Sequence, residues 1–184
     1  MRRNWVLLLA VVLLFTACGS SEKTVVEKQQ ADVQATVVWY NALLADCFRD
    51  LNMSAMAQVA TAERAQQVYY YMASLGEAGL RMDARLTKID FGALRETAGD
   101  RVEIPAAEIW DYVYFDIKSG KKLFANTVEY DLAYSLVNQA DKWLVAGITV
   151  KATRESKDST FIFQRPAGSR PGEATAGGAG DGKP

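Results

Sequence analysis

The feature that most restricts what this chain can fold into is one change of period. Between residues 22 and 75 apolar side chains recur at three- and four-residue steps; from Gly79 to Thr153 they alternate. Helices first and strands afterwards is an α+β plan, in which helices cover one face of an antiparallel sheet.

The first helix is read over 22–51. Val26, Val33, Val37, Tyr40, Leu44, Cys47 and Leu51 form one stripe with Phe48 beside it, and Lys28, Gln34, Asn41, Asp46 and Arg49 lie opposite. Asn52 tolerates the left-handed conformation and is expected to close it. A short second helix over 54–59 would start at Ser54. A third starts at Thr61 with Glu63 in its first turn, carries Ala65, Val68, Tyr69, Met72 and Leu75 inward, and ends at Gly76 and Gly79.

Four strands follow. The first, 81–96, slips phase between Leu86 and Ile89, which predicts a bulge near Thr87 and leaves Gly92 as a kink. The second is 102–118, where Pro105 favours an edge or bulged position. The third is 123–138 and the fourth 143–153, joined by turns at 118–121 and 140–142. Phe161, Ile162 and Phe163 add a short closing strand or pack on the domain. The expected fold class is α+β: three N-terminal helices packed on a curved four-stranded antiparallel sheet.

The ends carry other signals. Arg2 and Arg3 precede an unbroken apolar run of 11 residues, 5–15, which is too short for a span needing about 20 helical residues. Small residues and Cys18 come next, the layout of a cleaved secretory signal. Phe15, Thr16, Ala17 and Cys18 resemble a bacterial lipobox. That resemblance implies cleavage before Cys18, its thioether lipidation and acylation of the new N-terminus. Gly19 in place of aspartate then implies outer-membrane sorting in a double-membraned host. The expected organisation is a signal at 1–17, a lipidated tether at 18–23, a domain at 24–165 and a disordered tail at 166–184. The tail holds 6 of the 13 glycines and 3 of the 4 prolines and has no large apolar residue to offset its ordering entropy.

Charge and composition narrow the function. Without residues 1–17 the net charge is -3, from 19 basic and 22 acidic residues, which gives no electrostatic basis for nucleic acid. The chain has no histidine, so the commonest general base and metal ligand is missing. No phosphate loop, nucleophile elbow, dinucleotide fingerprint or metal constellation stands in the sequence, and no cofactor is expected. Cys47, left alone once Cys18 carries lipid, is expected in the core.

The helix around Trp39-Tyr40-Asn41-Ala42-Leu43, the bulged strands and the closing Asp141-Lys142-Trp143-Leu144-Val145 resemble the NTF2-like (cystatin-like) superfamily of α+β cones, over about residues 22–163. The resemblance implies a cone closed by helices. Its members include enzymes, such as ketosteroid isomerase and dehydratases, and non-catalytic binding modules, so fold alone does not choose.

Two sets of site residues follow. Ile109, Val113, Phe115 and Ile117 of the second strand are assigned to the helix-facing side. So are Phe124, Val128, Tyr130, Leu132, Tyr134 and Leu136 of the third, and Leu144, Ala146, Ile148 and Val150 of the fourth. The other face would then expose Glu108, Trp110, Tyr112, Tyr114, Glu129, Asp131 and Trp143, a mixture of rings and acids suited to a homodimer or envelope-protein interface. Trp110, Tyr112, Tyr114, Glu129 and Trp143 are the candidate partner surface. A cavity reading instead needs polar groups inside the cone, for which Asp46, Asp111, Tyr40 and Tyr130 are the candidates. The expectation is an envelope protein anchored in the bilayer through acylated Cys18, acting as a non-catalytic binding or assembly module. The alternative is a small-molecule binder, or an isomerase- or dehydratase-like enzyme, using the cone.

Overall fold

A computed structural model describes residues 19–156, with side chains from Val26 onward. Cys18, the signal sequence, the segment 161–163 and the tail lie outside the described residues. Helix α1 runs Gly19–Asp50 and helix α2 Ala62–Glu77, with a 3-10 turn at Met56–Gln58 between them. Strands β1 Leu80–Phe91, β2 Arg95–Ala98, β3 Arg101–Asp116, β4 Lys122–Gln139 and β5 Lys142–Glu155 complete the α+β chain.

In α1 the expected stripe is buried only from Val33: Val33, Val37 and Tyr40 are inaccessible, Cys47 and Phe48 nearly so, while Val26 is 54% exposed. Burying side chains of this size contributes about 1.5–3 kcal/mol each, so the middle of α1, not its start, holds the helix on the sheet. The left-handed residue that ends α1 is Leu51, at φ 51°, not Asn52. Asn52 instead donates its N–H to Cys47 O at 3.1 Å and accepts the Ser54 N–H on its side-chain oxygen at 3.0 Å. Ser54 is thereby drawn into a turn, and the expected second helix shrinks to the 3-10 turn with no side-chain cap. In α2 the cap is Thr61, whose hydroxyl accepts the Arg64 N–H at 3.3 Å. Losing such a cap costs about 1 kcal/mol. Val68, Met72 and Leu75 are buried, whereas Tyr69 is half exposed. Gly76 stays helical; Gly79, at φ 73°, makes the exit.

The sheet order is β1-β3-β4-β5, all antiparallel, with β2 also paired to β3. The expected first strand is thus two strands, which brings the count to five. The break is where Gly92 leaves β1. Its N–H donates to Pro105 O at 2.8 Å, and a Cβ on it would lie 3.2 Å from Pro105 Cβ. Pro105 sits inside β3, paired with Ala133 on the β4 side. Its missing N–H falls opposite the gap between β1 and β2, so no ladder bond is lost. The 3-10 turn closes the far edge: Thr61 N donates to Val145 O at 3.0 Å and Val145 N to Val59 O at 2.8 Å.

Bulges decide which side chains face the helices. Thr87 is the extra residue in β1, as expected, so Leu86 and Ile89 both point inward opposite Trp110 and Glu108. In β5 the extra residues are Ala146 and Lys151. The inward set therefore runs Val145, then Ile148 and Val150, then Thr153 and Glu155, and the expected inward placement of Leu144 and Ala146 is corrected. In β3 the whole assignment reverses. Val102, Ile104, Ala106, Glu108 and Trp110 are buried, and Ile109, Val113 and Phe115 belong to the opposite face, where Arg81 lies over the Phe115 ring at 4.7 Å.

Candidate functional site: an aromatic cup between the helices and the sheet

Two apolar clusters meet under the helices. One joins the middle of α1, the 3-10 turn and the first halves of β3 and β5; the other joins Phe48, Val68, Met72, Leu75 and Met82. Between them lies a cavity of about 530 Å³, within the range of small-molecule sites. Its sheet wall is the inward face of β3 and β4, and α1 and α2 supply the other wall through residues such as Leu44, Phe48 and Tyr71.

The deep end is polar. Glu108 is 3% exposed and Asn41 2%. Asn41 Nδ2 donates to Glu108 Oε1 at 2.9 Å, and Trp110 Nε1 donates to Oε2 at 2.7 Å. Tyr134 OH lies 2.6 Å from Glu108 Oε1 and 3.0 Å from Asn41 Oδ1. A hydroxyl has one proton, so its bond goes to the nearer carboxylate oxygen. Three donors converge on one buried acid, which is how an acid can be kept in a protein interior. Tyr40 lies edge-on to Tyr134 and accepts Arg64 Nε at 2.9 Å. Burial, first, raises the Tyr40 and Tyr134 phenols above their usual range, and the charge of Glu108 adds to it.

Toward the mouth the lining is aromatic. Trp110 and Tyr112 stack at 5.9 Å with planes 7° apart, and Tyr114 stacks on Phe124 at 4.2 Å. Phe48 meets Tyr71 edge-to-face at 5.4 Å. Burial, with neighbouring hydroxyls second, holds the phenols of Tyr112 and Tyr114 well above the usual value, and burial likewise raises Tyr130. The side-chain oxygen of Asn126 is buried in this wall without a hydrogen-bond partner among the described residues.

The expected site residues are thus dispersed. Trp110, Tyr112 and Tyr114 line the cup instead of an outer surface. Glu129 and Asp131 remain outside, both facing Arg154, at 3.2 and 3.6 Å. Trp143 packs half-buried against the core, away from these rings. Of the cavity candidates, Tyr130 lines the cup and Tyr40 is buried beneath it. Asp46 is exposed and paired with Arg49 at 2.8 Å. Asp111 lies on the outer face, bonded to Arg85 at 2.7 Å and Thr127 at 2.7 Å. The Arg85 hydrogen bond, then Thr127, lowers its pKa. Sequence reasoning missed Glu108, Asn41, Arg64 and Asn126 as a group. One signal could have found Glu108: Val102, Ile104 and Ala106 share its parity, and a count over the whole strand makes that face the core.

No protein-family model matches the chain, and no curated protein matches it. Among solved structures, the Kfla4162 protein from Kribbella flavida is 14% identical over 68% of this chain and 95% of its own, with a TM-score of 0.43. The intermembrane space region of the chloroplast protein ARC6 is 16% identical over 64% of this chain and 92% of its own, with a TM-score of 0.57. At that identity the likeness to ARC6 extends to the fold: an α+β chain with helices laid on an antiparallel sheet.

Proposed function

We propose that this chain is a lipid-anchored envelope protein whose helices and sheet form an NTF2-like cone that holds a small molecule without converting it. The observation that carries the binding reading is the inward turn of Trp110, Tyr112 and Tyr114 around a cavity of about 530 Å³. Apolar walls with a few placed polar groups are the usual composition of a small-molecule site. The unpartnered Asn126 oxygen supports it, because a buried acceptor costs about 1–3 kcal/mol until something donates to it. Holding is favoured over conversion because Glu108, the acid deepest in the cup, is engaged by three internal donors and nearly closed to solvent. The anchor rests on the sequence alone, on Phe15, Thr16, Ala17 and Cys18.

Two experiments test the two halves. The protein is purified from native membranes and its extract analysed by mass spectrometry, beside an Ala84→Trp variant that fills the cup from β1. A molecule retained by the wild type and lost by a folded variant supports the cup; an empty wild type that also binds no fragment in ligand-observed NMR overturns it. For the anchor, Cys18→Ser is expected to leave the membrane fraction, and a variant that stays bound refutes lipidation.

A further inference from the structure

Among the described residues lining the cup one is a cation, Arg64, and it makes no ion pair with any of them. Arg64 lines the cavity from the first turn of α2, half-buried. Its Nε donates to Tyr40 OH at 2.9 Å and one terminal nitrogen to Gln67 at 3.2 Å. None of the ion pairs among the described residues involves Arg64. A guanidinium has five N–H donors in a planar fork, so most of its donors are left for something else. Glu108 does not serve: it makes no ion pair with Arg64, and three of its acceptor sites already take Asn41, Tyr134 and Trp110. Glu155 reaches the lining only at the exposed end of β5.

The rings point the same way. An aromatic cage for an ammonium group needs several ring faces converging on one point. Here Trp110 and Tyr112 turn a face on each other, as do Tyr114 and Phe124. Stacked side by side, they form slabs whose edges carry the positive part of the ring quadrupole. Slabs of this kind receive a flat apolar body, and do not gather negative faces around a cation.

We propose that the cup recognises a small amphiphile bearing a single carboxylate, with the acid group on the Arg64 guanidinium and a flat or acyl body along the Trp110–Tyr112 slab. The idea rests on the small-molecule reading above and adds the charge of the ligand. Arginine suits this role because its fork matches a carboxylate bidentately.

The test uses matched probes: phenylpropyl, naphthyl and decyl bodies, each carrying a carboxylate, a primary amide or a trimethylammonium head, titrated calorimetrically into the full-length lipidated protein in detergent micelles. Detergent partitioning is subtracted with the cup-filled Ala84→Trp variant. For any body that binds, the carboxylate is expected to bind roughly 10- to 100-fold tighter than the amide, the worth of charge-assisted hydrogen bonds. Arg64→Gln should remove that advantage, weakening the acid much more than the amide; Arg64→Lys should keep part of it, and thermal melts verify that both variants fold. Amide or trimethylammonium probes that bind as tightly as the acid overturn the carboxylate assignment and leave the cup reading standing. The same holds for an advantage that survives Arg64→Gln. If no body binds with any head, the cup reading fails and this inference with it.

Discussion

Tyr134→Phe isolates the bond that holds the deep end of the cup together. Tyr134 is 1% exposed and its hydroxyl sits 2.6 Å from Glu108 Oε1. The substitution removes one oxygen and keeps the ring, including its edge contact with Tyr40 at 6.2 Å, so almost no cavity is created. The loss is a hydrogen bond to a charged group, worth about 1.5–3 kcal/mol. Phenylalanine avoids the cost of burying a hydroxyl, which trims the figure, and about 2 kcal/mol is expected. For a domain this size that is a fall in Tm of roughly 4–8 °C. Urea unfolding followed by far-ultraviolet circular dichroism should show a lower midpoint at unchanged slope. Tyr69→Phe, at a half-exposed ring, is the control and should change nothing measurable. A double-mutant cycle with Glu108→Gln should return a coupling of at least about 1 kcal/mol. A loss below about 0.5 kcal/mol, or no coupling, would mean that Glu108 does not depend on this donor, and the account of the buried acid would be wrong.

Stability should also fall in alkali. Tyr40 and Tyr134 keep their protons in the fold with pKa values above the usual phenol range. In the unfolded chain they ionise near pH 10, so their contribution is complete below about pH 10 and drains away above it, by up to about 1.4 kcal/mol per pH unit for each phenol; near-ultraviolet phenolate absorbance rising in step with unfolding is the expected record. At the β4–β5 turn Ala140 and Asp141 hold φ of 50° and 62°, a geometry that asparagine and glycine adopt without strain. Ala140→Asn with Asp141→Gly should therefore raise the unfolding free energy by about 1 kcal/mol, read by chemical denaturation. Cys47 is 2% exposed, with its thiol pKa raised by burial first and by Asp46 and Asp50 after it. Its alkylation by iodoacetamide should be negligible in the native protein and rapid in denaturant; rapid native labelling would place it outside the core.

The helices were legible in the sequence because their signals are local. Thr61 caps α2, and the α1 stripe is buried from Val33, where the covering layer begins. The Thr87 bulge was legible too, since Leu86 and Ile89 break the alternation on the same strand. The cup was not. Ile109, Val113 and Phe115 make an apolar set as convincing as Trp110, Tyr112 and Tyr114, and only the partners across the sheet decide between them. Buried acid reads as surface from sequence alone, because what makes Glu108 tolerable are donors distant in the chain: Asn41 and Tyr134 lie 67 and 26 positions away. In β5 the extra residues Ala146 and Lys151 reset the parity twice, and neither carries a composition cue.

Those two extra residues have a genetic consequence. Leu132 pairs with Val150 and Asp131 with Ala152, so excising Lys151 leaves every partnership along the last strand intact and takes away only a local bend. Excising Ile148 instead shifts every downstream pair and swings Glu155 to the opposite side. Loss of the codon for Ala146 or for Lys151 therefore alters the bend of the chamber wall without changing the side chains that furnish it.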